Sequence, residues 1–376
     1  MSNFSSKIKV VYIISDLDKA LAFEWIAEKI DGKKFDLSFI LLNPASSFLE
    51  EHLIQKGYNV YYIRCRGKRD WLPAFIRVWR LLRKIKPSVV HCHLIQATII
   101  GLAAAKVSGV KKRIYTRHHS SLHHVYIKKG RWWDKFSNNL ATNIVAASGA
   151  VKKILINWER VPERKVVVIP HGFKLSEFAN VSRKRIEDFK TKNNLNGTHP
   201  VIGVISRLTK WKGVQYTVVA FQRYLACEPR AVILLLNAKG DFESEIQRLL
   251  NEIPSSNYRK ITFESDIAAA YKAMDVFIHV PIDEHSEAFG QAYIEALAAE
   301  VPAIFTLSGI APDFITNEEN ALIVPFKDSD AIFKAMQRIV SDKKLQNRLR
   351  KEGLESVQKK FELSYMMKNL EDLYAE

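Results

Sequence analysis

Short apolar runs of β character alternate along this chain with segments whose apolar residues recur at helical spacing. In the first half the runs are KVVYII, DLSFILL, NVYYIR, VVHCH, KRIYTR and NIVAAS. Between them, LPAFIRVWRLLRKI (72–85) and LIQATIIGLAAAKVSG (94–109) carry helical periodicity, with ends that meet Pro or Gly. A polar, basic stretch closing on NNLNGTHP (193–200) has the composition of a linker or loop. A second alternation then opens: PVIGVIS, AVILLLN, ITF, VFIHVP, PAIFT and ALIVP, interleaved with helical patterns near 213–226, 241–252, 267–274, 289–300 and 330–342. Runs this uniformly apolar belong to parallel strands buried on both faces. The pattern predicts an α/β protein of two Rossmann-like, doubly wound domains, over 1–180 and 196–355, facing a cleft that is the default active site. Beyond about 344 the pattern is helical without strands, and the segment 356–376 is expected to pack back toward the N-terminal domain.

A chain of 376 residues with 47% hydrophobic content can supply a core to each domain. No uncharged stretch of about 18 residues occurs, so neither a spanning helix nor a signal peptide is expected, and the chain is placed in the cytoplasm. Cys65, Cys92 and Cys227 are far apart and form no metal knuckle or disulfide framework. Charge is more informative. Residues 1–180 hold 31 Lys and Arg against 13 Asp and Glu, so the whole excess of +17 lies in the first half. That half is expected to face something anionic: a nucleic acid, a membrane surface or a phosphorylated substrate.

Candidate chemistry concentrates in EAFGQAYIE (287–295). Glu287 stands just before a predicted helix and Glu295 eight positions on; at 100° per residue the two fall within roughly 80° of each other. Phe289 and Gly290 lie where free backbone N–H groups at a helix start would meet an anion. Earlier in the same half, strand VIGVIS leads into RLTKWKG (207–213), where Arg207 and Lys212 suit a diphosphate and Gly213 permits close backbone approach. Either segment alone would pass for a solvated turn or a capped helix.

Together these segments resemble the retaining GT-B glycosyltransferases of family 4 (glycosyl transferases group 1), and the resemblance covers nearly the whole chain. It implies that Arg207 and Lys212 hold a donor diphosphate. Glu287 would lie near the transferred sugar, and Glu295 would accept from ribose hydroxyls. Gly213, Ala288, Phe289, Gly290 and Ile267 would complete the donor site. In YTRHHSS (115–121) it implies a catalytic role for His118, with Asp16, His93 and His119 on the acceptor side. It further implies retention of anomeric configuration, no cofactor and no divalent metal. His118, His119, His123 and His124 crowd one segment, but no Asp, Glu or Cys at ligand spacing joins them, so a metal site is not expected. His91 and His93 are read as acceptor-side or packing residues. Three departures from the family pattern stand out: the loop SDLDKALAFEW (15–25) lacks glycine, Glu300 replaces a small Gly before VP, and Asp313 stands where Glu is common. Asp16 and Asp18 are read as helix-capping acids.

Two segments combine aromatic and basic residues: RGKRDWLPAFIRVWRLLRKIK (66–86), and LHHVYIKKGRWWDKF (122–136), read as a loop. In the first, Leu72, Phe75, Ile76, Trp79 and Leu82 are expected to face inward. Both segments suit an anionic membrane surface where a lipid-linked acceptor resides. The expected function is transfer of a sugar from a nucleotide-sugar donor, UDP-linked, to a glycan or lipid-linked acceptor in cell-surface polysaccharide or glycolipid synthesis, by an enzyme peripheral to the inner face of the membrane. The alternatives are another GT-B enzyme, such as a sugar-nucleotide epimerase or phosphorylase, and, less favoured, a nucleic-acid binder.

Overall fold

Both alternations fold as fully parallel sheets in the computed structural model, which describes residues 7–376. In the first unit the strands are β1 (Ile8–Ser15), β2 (Phe35–Asn43), β3 (Asn59–Arg64), β4 (Val89–His93), β5 (Lys112–Arg117), β6 (Asn143–Ala146) and β7 (Val166–Val168), ordered β3-β2-β1-β4-β5-β6-β7. Their crossovers are α1 (Leu21–Lys29), α2 (Phe48–Gln55), α3 (Trp71–Ile85), α4 (Ile95–Val107), α5 (Leu122–Val125), α6 (Arg131–Leu140) and α7 (Gly149–Lys153). Central strand β1 is buried along six consecutive residues. That explains a run without polar alternation: helices cover both faces.

Segment 122–136 is helical rather than a loop, because Trp133, Asp134 and Ser137 recur on the face of α6 nearest α4. The buried stripe of α3 is Ala74, Val78 and Leu82. Of the other residues expected inward, Phe75, Ile76 and Trp79 are half-buried and Leu72 is exposed. The two acids after β1 do not cap α1, whose start has no side-chain cap. Asp18 instead accepts from the Phe48 amide at the start of α2 (3.1 Å), and Asp16 adopts φ 54° at the turn where the loop lacks glycine.

The second unit spans Lys174–Glu362. It holds α8 (Ser176–Ala179), α9 (Arg183–Lys192), β8 (Val201–Ile205), α10 (Val214–Leu225), β9 (Val232–Leu236), α11 (Glu243–Leu250), β10 (Tyr258–Ile261), α12 (Ile267–Lys272), β11 (Val276–His279), α13 (Gln291–Ala298), β12 (Ala303–Phe305), β13 (Leu322–Ile323), α14 (Ser329–Ser341) and α15 (Lys343–Phe361). Its sheet runs β10-β9-β8-β11-β12-β13. One core joins Ile202, Phe221, Leu235, Ile278, Ile304 and Met336 from strands and helices alike. The polar stretch before 193 is therefore not wholly a linker. Helix α9, capped by Ser182, is tied to this unit by Arg185 on Asp266 (2.6 and 2.8 Å) and Lys192 on Glu264 (3.0 Å).

The last helix, α16 (Leu363–Ala375), belongs to the first unit. Its Tyr374 hydroxyl lies 2.5 Å from that of Tyr12 in β1 and 2.6 Å from Nδ1 of His91 in β4, all fully buried. His91 Nε2 meets Thr116 Oγ1 at 2.8 Å, which closes the network. Glu371 accepts from the Asp31 amide at 2.9 Å. Tyr374→Phe would strand two buried polar groups, so it should cost about 1–3 kcal/mol in urea unfolding; an unchanged midpoint would show that the hydroxyl does not fasten α16.

Candidate functional site

In a doubly wound sheet, loops at the carboxyl ends of strands diverge where the strand order reverses, which opens a crevice for ligands. In the second unit that point lies between β8 and β11. After β8 the chain passes through exposed Arg207 into a 3₁₀ turn, Lys210–Lys212, and reaches Gly213 with φ 74°. A Cβ at Gly213 would lie 1.8 Å from the Val280 carbonyl oxygen, just beyond β11, so only glycine lets these two strand ends meet. Their meeting brings Lys212 onto Glu287, 75 positions later, as an ion pair between Nζ and Oε1.

Glu287 is buried and held on three sides. Lys212 reaches Oε1, His279 Nε2 lies 3.1 Å from the same oxygen, and the Glu287 amide donates to Ser308 Oγ at 3.1 Å. Burial would raise the Glu287 pKa, but the Lys212 charge and the His279 hydrogen bond outweigh it and hold the carboxyl down at about 2. Burial lowers the His279 pKa. A neutral imidazole donating from Nε2 to the carboxylate follows. Among the described residues, the buried hydroxyls of Thr209 and Ser286 find no hydrogen-bond partner. They flank Lys212 and Glu287 in sequence and are available to an anion.

Helix α13 starts at Gln291 after Gly290, which has φ 89° and supplies no side-chain cap. The opening N–H groups of the helix are thus left for an external acceptor. The helix starts later than a continuous angular reading from Glu287 requires, so the two glutamates do not share a helical side as expected. Glu287 turns to Lys212, whereas Glu295 accepts from the Tyr271 hydroxyl of α12 at 2.9 Å. Burial raises the Glu295 pKa to about 7, against the opposing effect of that hydrogen bond. Ile267 opens α12, one turn before Tyr271, on a helix capped by Asp266. Phe289 is buried against Phe361, and its carbonyl accepts from the Ile310 amide; Ala288 precedes it in the same segment.

The acceptor-side candidates lie in the first unit. His93 Nδ1 and His118 Nε2 are 3.2 Å apart, and His118 stacks on His171 at 5.7 Å. Burial lowers the pKa of His118 to about 3 and of His171 to about 4, and that of His93 well below its usual value. All three are neutral at pH 7. Asp16 is not with them: it accepts from Gln96 at 3.2 Å.

His119 leads elsewhere, to a buried charge cluster. Arg117 donates to Asp134 (2.8 and 3.0 Å) and Glu159 (2.5 Å); His123 and His119 meet Asp134 at 2.8 and 3.4 Å, and His124 meets Glu159 at 3.1 Å. Carboxylates at ligand distance from these histidines therefore do exist, supplied by α6 and by the chain after α7, contrary to the expectation from spacing. The ligand atoms of His119, His123 and Asp134, and of His124, Asp134 and Glu159, lie within 4.8 Å of one another. Yet the Arg117 guanidinium already places a fixed positive charge on both carboxylates, which a metal ion would have to displace.

His279, Tyr271, Ser308, Asp134 and Glu159 were missed by sequence reasoning. Only His279 carried a readable signal, a histidine closing the apolar strand VFIHVP.

Two family models match the chain: Glycosyltransferase Family 4 over residues 26–177 and Glycosyl transferases group 1 over residues 185–356. A capsular polysaccharide biosynthesis glycosyltransferase of Staphylococcus aureus is 28% identical over 320 residues, 81% of this chain and 80% of that protein. The UDP-Gal:alpha-D-GlcNAc-diphosphoundecaprenol alpha-1,3-galactosyltransferase of Escherichia coli is 24% identical, covering 100% of this chain and 98% of that protein. Among solved structures, HepE of Anabaena in complex with UDP matches with a TM-score of 0.82 at 17% identity, over 98% of this chain and 100% of that one. The fold agrees with the two-domain expectation.

The two glutamates should leave opposite marks on stability. A carboxyl raised from 4.5 to about 7 binds its proton more tightly when folded, so the Glu295 contribution falls as pH rises from 4.5 through about 7. Glu287, held at about 2, contributes stability that is present above 4.5 and lost as pH falls toward 2. Urea midpoints across this range should show that Glu295→Gln flattens the decline toward neutral pH and leaves the acid-side loss; an unchanged neutral slope would contradict a raised Glu295 pKa.

Proposed function

We infer from its membership of the GT-B glycosyltransferases that this chain transfers a sugar from a nucleotide-sugar donor, UDP-linked, to a glycan or lipid-linked acceptor with retention of anomeric configuration. The observation that carries the donor assignment is the part-buried Lys212–Glu287 pair beside the uncapped start of α13, at the strand-order reversal of the second sheet.

Departure of a nucleoside diphosphate concentrates negative charge on the β-phosphate. Lys212 and the α13 N–H groups provide positive potential there from fixed positions, joined by exposed Arg207, so the reaction as proposed needs no divalent metal. Glu287, ionised with a pKa of about 2, cannot donate a proton at neutral pH. Its role is to orient Lys212 and to accept from hydroxyls of the transferred sugar. Glu295 accepts from the ribose hydroxyls, and Ile267 packs on the nucleoside side. In the retaining step the anomeric C–O bond to phosphate breaks, the acceptor oxygen bonds to the same face, and the acceptor proton passes to the departing diphosphate. His118 joins the proposed catalytic set as a neutral imidazole within hydrogen-bond distance of His93.

Two relatives support a lipid-linked acceptor by what their names state: the E. coli enzyme acts on a diphosphoundecaprenol-linked sugar, and an alpha-monoglucosyldiacylglycerol synthase of Acholeplasma laidlawii is 23% identical over 87% of this chain. Among the described residues no helix is long and apolar enough to cross a membrane. The charge excess of the first half favours a placement with that half toward an anionic membrane face.

Calorimetry with a panel of UDP-, GDP- and ADP-sugars tests the donor reading, and UDP-sugars should bind best; no binding by any of them would overturn it. Lys212→Ala should lower turnover by about 10²-fold, the scale of one lost oxyanion donor, and Glu295→Ala should mainly weaken nucleotide binding. Glu295 is the stronger acceptor when ionised. UDP-glucose, whose diphosphate does not titrate near neutrality, should therefore bind more tightly at pH 8 than at pH 6, and Glu295→Gln should erase that difference.

A further inference from the structure

Of the two side chains that reach the Glu287 carboxylate, one is mobile and charged and the other is locked in the core. His279, the last residue of β11, is 3% exposed, and its Nε2 atom stands 3.1 Å from Glu287 Oε1. Packing fixes the ring. It meets Tyr293 of α13 edge-on, with centroids 4.7 Å apart, and lies nearly parallel to Phe277 along the strand at 6.4 Å. Tyr293 is fastened in turn: its hydroxyl donates to the Thr306 carbonyl at 3.1 Å and its ring meets Phe305 of β12 at 4.7 Å.

The charged groups that act on the imidazole are Glu287 and Lys212. On the same face of β11, α13 adds the Tyr293 phenol and α12 adds that of Tyr271, which donates to Glu295. Strand β12 places Phe305 beside His279, and Ile278, on the other face, joins the apolar core with Phe221 of α10 and Met336 of α14. The Nδ1 atom of His279 is buried with no hydrogen-bond partner among the described residues. An imidazolium would carry an N–H there with no acceptor, so the enclosure favours the neutral ring with its single proton on Nε2, donated to Glu287.

Lys212 cannot serve Glu287 and a diphosphate equally. Once the ligand takes the cation, a buried carboxyl left without a partner would rise by about 3–5 pH units and neutralise. A hydrogen bond donated to its charged form opposes that change. Neutral, buried and committed through its one N–H, His279 is not drawn to the ligand as Lys212 is. We propose that His279 is a positioning residue of the donor site, whose Nε2–H keeps Glu287 ionised and aimed at hydroxyls of the transferred sugar after the diphosphate has taken Lys212. The inference rests on the nucleotide-sugar reading of this site.

Proton-counting calorimetry tests it. UDP-glucose is titrated into the full chain near pH 6 in buffers of different ionisation enthalpy, and the dependence of the heat on that enthalpy gives the protons exchanged on binding. Any contribution from Glu295 is common to all variants and cancels against the wild type. His279→Leu, which has no donor, should take up about one proton more than the wild type, and its affinity relative to the wild type should fall by up to about tenfold per pH unit above that. His279→Gln, which restores an N–H donor, should match the wild type. A ring that served packing alone would leave the proton count unchanged in His279→Leu, and that result would overturn the proposal, as would His279→Gln taking up the same proton as His279→Leu. Nitrogen NMR of histidine-labelled wild-type protein gives a reading that needs no folded leucine variant. The His279 signal, identified by its loss in His279→Gln, should show a proton on Nε2 alone, both free and with UDP-glucose bound; a second proton on Nδ1 in the complex would overturn the proposal. Failure of UDP-glucose to bind the wild type would remove the donor reading and this inference with it, whereas binding with a proton count indifferent to His279→Leu would remove this inference alone.

Discussion

A buried carboxylate must be paired or it will not remain ionised, and in this protein the pairing of Glu287 organises the candidate donor site. Lys212 and His279 reach it from the two strand ends that flank the strand-order reversal, and Ser308 holds its backbone from a third loop. The close approach of the Gly213 segment to Val280 makes this convergence possible. A side chain at position 213 would push the Lys212 turn away from β11 and leave Glu287 without its strongest partner. The resting pair also sets the proposed chemistry. An arriving diphosphate competes with Glu287 for Lys212 and gains a cation that is already positioned and partly desolvated.

The two units differ in how they treat titratable groups. In the second, one carboxyl is driven down by a cation and another is driven up by burial, so Glu287 is ionised across the physiological range while Glu295 titrates within it. In the first, burial holds His93, His118 and His171 neutral. Next to them, Arg117 gathers Asp134 and Glu159 into a hydrogen-bonded cluster with His119, His123 and His124. Neutral imidazoles serve as hydrogen-bonding groups, and the cluster fixes the loop that presents them.

The alternation of apolar runs and helical periods was enough to read two doubly wound sheets, because buried parallel strands show no polar alternation that could be mistaken for another architecture. The grouping of Lys212 with Glu287 was legible for a related reason: both follow apolar strands of one sheet. Partners were harder to foresee. His279 lies eight residues from Glu287, but its role depends on β11 lying next to β8, which periodicity does not reveal. Asp134 joins the histidines from α6 and Glu159 from the chain after Trp158, a convergence that spacing along the chain does not show. The shared helical side for Glu287 and Glu295 failed because Gly290, at φ 89°, breaks the helical geometry between them. The conformational departures proved local. Asp16 at φ 54° and Glu300 at φ 57° adopt the left-handed geometry themselves, at the two places where the family pattern has glycine.

In the proposed donor complex the diphosphate of a nucleotide sugar takes Lys212 from Glu287 at the start of α13. A crystal structure of the protein with UDP tests it most directly. The β-phosphate should lie within hydrogen-bond distance of Lys212 Nζ and of the opening N–H groups of α13, with the ribose hydroxyls on Glu295. UDP bound elsewhere, or bound with Lys212 still engaged only by Glu287, would contradict it.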